Sequence, residues 1–149
     1  MAEDDAPADA PRVGQIVDHH FLWLDEHSAG QIEGRKPRPC LIIAVEPRRR
    51  SGPRVTIVPI TSQRPRQSTT AIAIPEDVKA RTGLDRARLA WVIIDDANVF
   101  TWPGFDLVPQ PGGTFIRAVV TRGFFQQVRS AVLALHARGR PRRVERDEG

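Results

Sequence analysis

The chain has 149 residues, 40% apolar and 27% charged, a balance that suits one folded domain with tails and excludes a fully disordered polyelectrolyte. No run approaches the about eighteen apolar residues of a membrane span, and the acidic N-terminus lacks the apolar core of a signal peptide, so a cytoplasmic location and no membrane contact are expected. The net charge of +4 is uneven: residues 1–9 carry Glu3, Asp4, Asp5 and Asp9, whereas residues 31–88 carry thirteen Lys/Arg against five Asp/Glu. Most of those cations are arginines, whose planar fork of donors matches phosphate, so an anionic partner such as RNA, DNA or an acidic peptide is favoured.

Residues 1–11, rich in Ala, Asp and Pro, are expected to form a disordered acidic tail. The folded domain is expected over residues 12–138, with a charged, disordered tail over 139–149. Within the domain, residues 13–24 read as a first strand and residues 25–36, with Gly30 and Gly34, as a long loop. Residues 38–45 are a nearly continuous apolar run, the pattern of a buried strand. After a turn over 48–53, residues 54–60 form a third strand, where Pro59 marks an edge or an end. A polar loop over 62–68 leads to a short alternating strand over 69–74.

Residues 75–82 read as a short helix: Pro75 opens it, Glu76 and Asp77 suit the positive end of its dipole, and Gly83 ends it. Residues 89–95 are another apolar strand, continued over 98–102 after a bend. Residues 103–113 are a Pro/Gly-rich loop, and 114–120 a last strand. Thr121 offers an N-cap hydroxyl. Phe124, Val128, Ala131 and Leu135 then form the apolar stripe of an amphipathic helix ending near Gly139. Many short strands, turn-rich loops and one C-terminal helix predict a mainly β fold, a small curved barrel.

No metal or other cofactor is expected. His19, His20, His27 and His136 have no Cys or carboxylate at ligand spacing. Gly30, Gly34, Arg35 and Lys36 do not make a phosphate loop, because the glycines are too close and Pro37 replaces the magnesium-binding hydroxyl. The single Cys40 reads as a small buried strand residue.

What remains is an order of features. Gly34-Arg35-Lys36-Pro37-Arg38-Pro39 runs into Leu41-Ile42-Ile43-Ala44-Val45, and Val55-Thr56-Ile57-Val58-Pro59-Ile60-Thr61-Ser62-Gln63 follows. Thr82-Gly83-Leu84 then precedes a strand that ends in Asp95-Asp96. Over residues 13–135 this series resembles the MazF/PemK (Kid) family of type II toxin–antitoxin endoribonucleases. The resemblance implies an SH3-like β-barrel with a C-terminal helix, a homodimer, metal-independent cleavage of single-stranded RNA, and a cognate antitoxin. It implies a phosphate-stabilising Arg38, an essential hydroxyl at Thr61 and a general base at Asp95. Further RNA contacts are expected from Arg35, Lys36, Ser62, Gln63 and His27.

Elementary chemistry agrees with these residue types. Without a metal, the substrate's own 2′-OH attacks the adjacent phosphorus, and the protein must accept a proton, stabilise the crowded phosphate and protonate the leaving oxygen. Arginine and hydroxyl donors serve the phosphate, and a carboxylate serves as base. The chain departs from the family pattern after Asp95, where Asp96-Ala97-Asn98 replaces a glutamine and a following arginine, and at Ile93, where some members have an arginine. No residue therefore takes the place of the general acid. Two other readings stay open: an RNA- or antitoxin-binding module of the same fold without catalysis, and a gyrase-poisoning toxin similar to CcdB. The basic middle of the chain suits an antitoxin with an acidic segment.

Overall fold

The computed structural model describes residues 10–23, 37–48, 50–65, 70–139 and 143–145. The tail over 1–9 and the segment 24–36, with His27, Arg35 and Lys36, lie outside the described residues. The elements are β1 (Gln15–His19), β2 (Arg38–Glu46), β3 (Arg54–Thr61), β4 (Ala71–Ala73), α1 (Glu76–Thr82), β5 (Trp91–Ile93), β6 (Ala97–Thr101), β7 (Leu107–Val108), β8 (Ile116–Val119), α2 (Arg122–Ala137) and β9 (Arg143–Glu145). The expected class holds: the protein is mainly β, a curled antiparallel sheet forming a half-barrel, with a C-terminal helix packed on it. The sheet runs β4-β5-β3-β2-β1-β7, with β8 on β1 and β6 on β3.

The nearly continuous apolar run of β2, and the adjacent apolar residues of β1 and β3, are explained by burial on both faces. Successive side chains of a strand point to opposite sides. Ile16, Leu41, Val58 and Ile60 enter one cluster, which Phe124, Val128 and Leu135 of α2 complete. Their strand neighbours Val17, Cys40, Ile42, Val55 and Ile57 enter a second cluster with Phe21, Phe100 and Leu107. Each fully buried large aliphatic side chain contributes about 1.5–3 kcal/mol. The β2–β3 register shifts between Ile42 and Ala44, and the β1–β8 register between Ile16 and Val17. Bulges of this kind raise the local twist and curl the sheet.

Both helices end as their sequences direct. α1 begins after an extended Pro75 and stops at Gly83, whose φ of 73° is left-handed. At α2 the Thr121 side chain accepts from the Phe124 N–H at 3.2 Å. Among the described residues no helix is long and apolar enough to cross a membrane.

Three elements differ from expectation. β1 is shorter than the predicted strand over 13–24: after His19 the chain leaves the ladder, and Leu22 bonds instead to the buried Asn98 side chain, N–H to Oδ1 at 2.9 Å and Nδ2 to the Leu22 carbonyl at 3.0 Å. β7 arises inside the predicted Pro/Gly-rich loop, because Leu107 is buried and pairs with His19. Residues 143–145, read as tail, pair in parallel with β6 as β9, and Glu145 forms an ion pair with Arg54 of β3.

Candidate functional site

Arg38 opens β2 and Thr61 closes β3. Arg38 pairs with His19 of β1, and Thr61 with Trp91 of β5. The β2–β3 register sets Cys40 opposite Pro59 and Leu41 opposite Val58. Continued to the strand ends, it sets Arg38 across from Thr61. Pro39 restricts Arg38 to an extended backbone, which fixes where its side chain leaves the strand.

Both residues line a cleft of about 330 Å³, with Pro39, Ile60, Ser62 and Gln63 from the same strand ends. Its other side comes from Leu84, Asp85, Arg88, Leu89 and Ala90 of the α1–β5 connection, and from Arg117 of β8. Its charged lining is thus three arginines and one aspartate.

The Arg38 guanidinium carbon stands 5.1 Å from the centre of the Trp23 ring, a cation–π contact. Its Nε is buried and donates to nothing among the described residues. A buried cationic donor without an acceptor is costly, and a phosphate oxygen would satisfy it. Thr61 is buried, and its Oγ1 accepts from the Gln63 N–H at 3.1 Å. That turn leaves Ser62 and Gln63 exposed and the Thr61 hydroxyl proton free to be donated.

Arg117 is held from two sides. Nη1 meets Asp18 Oδ1 at 3.0 Å, and Nη2 donates to the Gly83 carbonyl at 3.4 Å. Asp18 is fixed in turn by Gln110, whose Nε2 donates to Oδ2 at 2.9 Å. Cys40 lies behind the site, fully buried, and its thiol donates to the Arg38 carbonyl at 3.4 Å. Burial pushes this thiol well above its ordinary pKa; Arg38 pulls it down and Asp18 raises it, but both act less than burial. It is a neutral packing group, as its place in a buried strand implies.

The structure brings Arg38, Thr61, Ser62 and Gln63 together. It does not bring Asp95 to them. Asp95 stands half-buried in the turn after β5, outside the cleft lining. Trp91 is the β5 residue at Thr61, and the two strand residues beyond it carry the chain roughly 7 Å away before that turn. The carboxylate in the cleft is Asp85. Asp85, Arg88 and Arg117 carry no linear motif, and only the fold joins β8 to the α1–β5 connection.

A family model described as the PemK-like, MazF-like toxin of type II toxin–antitoxin systems matches residues 18–100. The match runs from β1 to β6, includes Arg38, Thr61 and the α1–β5 connection, and leaves Arg117 and α2 outside. No curated protein and no solved structure matches the chain. With more than half of its length matched, across the strands that build the cleft, the chain belongs to the PemK-like, MazF-like toxins of type II toxin–antitoxin systems, proteins that act with an antitoxin partner.

Proposed function

We propose that this toxin is a metal-independent endoribonuclease that cleaves single-stranded RNA in the cleft between Arg38 and Thr61. The observation that carries the reading is the opposition of these two residues at one cleft, with Arg88 and Arg117 beside them. In the reaction the 2′-OH attacks the adjacent phosphorus. A P–O2′ bond forms, the P–O5′ bond breaks, the 2′ proton leaves to a base and the 5′ oxygen gains a proton. Arg38 stabilises the charge that grows on the non-bridging oxygens, and the Thr61 hydroxyl donates to one of them. Preorganised donors of this kind are worth about 2.7–4 kcal/mol each.

The family resemblance makes Asp95 the base. Its distance from Thr61 along β5 makes Asp95→Asn the decisive variant. A loss of about 10²- to 10⁴-fold in cleavage with RNA binding intact assigns the role to Asp95, and unchanged cleavage removes it. Arg35, Lys36 and His27 are proposed as RNA contacts on the segment before β2, and Ser62 and Gln63 as contacts after β3. The working unit is proposed to be a cytoplasmic homodimer, its domain spanning residues 12–138. An acidic antitoxin segment is proposed to cover the arginines and compete with RNA.

Incubation of the purified protein with a long single-stranded RNA in EDTA tests the activity. Discrete fragments with 2′,3′-cyclic phosphate ends, lost in Arg38→Ala, are expected. RNA binding without cutting would instead favour a non-catalytic module, and stalled gyrase without any effect on RNA a CcdB-like poison.

A further inference from the structure

The α1–β5 connection brings a carboxylate into a cleft whose other charged residues are arginines, and phosphate stabilisation has no use for it. The segment is held in place before any ligand arrives. Lys79, only 2% exposed on α1, donates from Nζ to the Arg88 carbonyl at 2.8 Å, and Arg117 reaches the Gly83 carbonyl at 3.4 Å. Asp85 Oδ1 accepts from the Ala87 N–H at 2.9 Å, which orients the exposed carboxylate and leaves Oδ2 uncommitted among the described residues.

A carboxylate beside a phosphate site weakens phosphate binding by like-charge repulsion. It contributes to RNA binding only where it meets donor hydrogens, and on the nucleobases those lie on the base edges. Unpaired bases expose their Watson–Crick edges to protein groups. Adenine and cytosine offer one amino group there, beside an acceptor nitrogen. Uracil offers one N–H between two carbonyls. Guanine alone presents two adjacent donors, N1–H and N2–H, spaced to meet both oxygens of one carboxylate. Leu89, 60% exposed on the same lip of the cleft, adds an apolar surface for the flat of a base. Arg88 adds a cation for a flanking phosphate.

We propose, resting on the RNA-cleaving reading of the same cleft, that Asp85 is a specificity-determining residue that reads an unpaired guanine next to the phosphate held by Arg38 and Thr61. Asp85→Asn is the informative variant. It sits at an exposed loop position, its side-chain oxygen can still accept from Ala87, and it replaces one guanine-facing acceptor by a donor.

The test is fluorescence anisotropy with short uridine strands carrying one central guanosine, inosine or adenosine. All sugars are 2′-fluoro, so that no 2′-OH can attack. Inosine differs from guanosine only by the missing N2 amino group. The wild-type protein should prefer guanosine to inosine and adenosine by about tenfold, and Asp85→Asn should bring the three within about twofold. Affinity for an all-uridine strand should stay equal or rise in the variant. Equal wild-type affinity for guanosine and inosine, or an undiminished guanosine preference in Asp85→Asn, overturns the assignment. Cleavage of a long RNA is scored with the same preparations. Guanosine-selective binding without cleavage keeps the base reader and removes the nuclease. Cleavage without guanosine selectivity keeps the nuclease and overturns the base reader. Failure to bind any strand overturns both.

Discussion

Asp18 of β1 and Arg117 of β8 are paired at 3.0 Å, and this contact brings to the cleft an arginine that lies far along the chain from Arg38 and Thr61. The pair is partly shielded, with side chains 29% and 21% exposed for Arg117 and Asp18. Its direct stabilising contribution is therefore small, about 1 kcal/mol, and its consequence for binding is larger.

Arg117→Ala should lower the affinity for single-stranded RNA. It should also flatten the dependence of log K on log salt by about 0.7, the share of one phosphate contact. Asp18→Asn removes the compensating negative charge and should tighten RNA binding at low salt. Titrations at several salt concentrations check both signs. An unchanged slope in Arg117→Ala would place Arg117 outside the RNA path.

Arg38→Lys keeps the charge but loses the planar fork, so cleavage should fall by about 10²- to 10³-fold, while RNA binding falls far less. Thr61→Val is nearly isosteric and removes the hydroxyl donor, whereas Thr61→Ser retains it. Single-turnover rates should show Thr61→Ser close to wild type and Thr61→Val reduced by a factor similar to that of Arg38→Lys. Equal rates for the two Thr61 variants would mean that the hydroxyl takes no part in the reaction, either toward the phosphate or through Gln63.

Asn98 is fully buried and satisfies both the N–H and the carbonyl of Leu22. Asn98→Ala strands both groups without water and should destabilise the fold by about 2–4 kcal/mol. Urea denaturation should show a lowered midpoint with an unchanged slope.

Cys40 should resist alkylation at neutral pH in the folded protein and react at once when denatured, because burial keeps its thiol protonated. The folded pKa lies above the unfolded value of about 8.5. The stability this group contributes is therefore fully present below that pH and declines as the pH rises through the folded pKa. Cys40→Ser, denatured across this range, should show a shallower loss. An equal decline in both proteins would remove Cys40 as its source.

Much of the architecture is legible in local sequence, for local reasons. Gly83 follows the last turn of α1 because a left-handed residue is needed there, and Thr121 caps α2 because its oxygen meets the Phe124 N–H. The α2 stripe at Phe124, Val128 and Leu135 is buried as its spacing requires. Motif order also grouped Arg38, Thr61, Ser62 and Gln63, and they line one cleft because the β2–β3 pairing is antiparallel and joins the start of one strand to the end of the next.

What sequence could not supply depends on pairings between distant segments. Leu107 and Val108 form a strand only because β1 offers them an edge, and residues 143–145 only because β6 does. Arg117 reaches the cleft through Asp18 and Gly83, contacts that no spacing encodes. Asp95 belongs to the motif order but stands in the turn after β5, outside the cleft lining, because β5 runs away from Thr61. From its order of residues alone, the chain determined a half-barrel with an Arg38/Thr61 edge. Tertiary packing decided which other charges share that edge, because side chains from β8 and the α1–β5 connection meet there only once the sheet has curled.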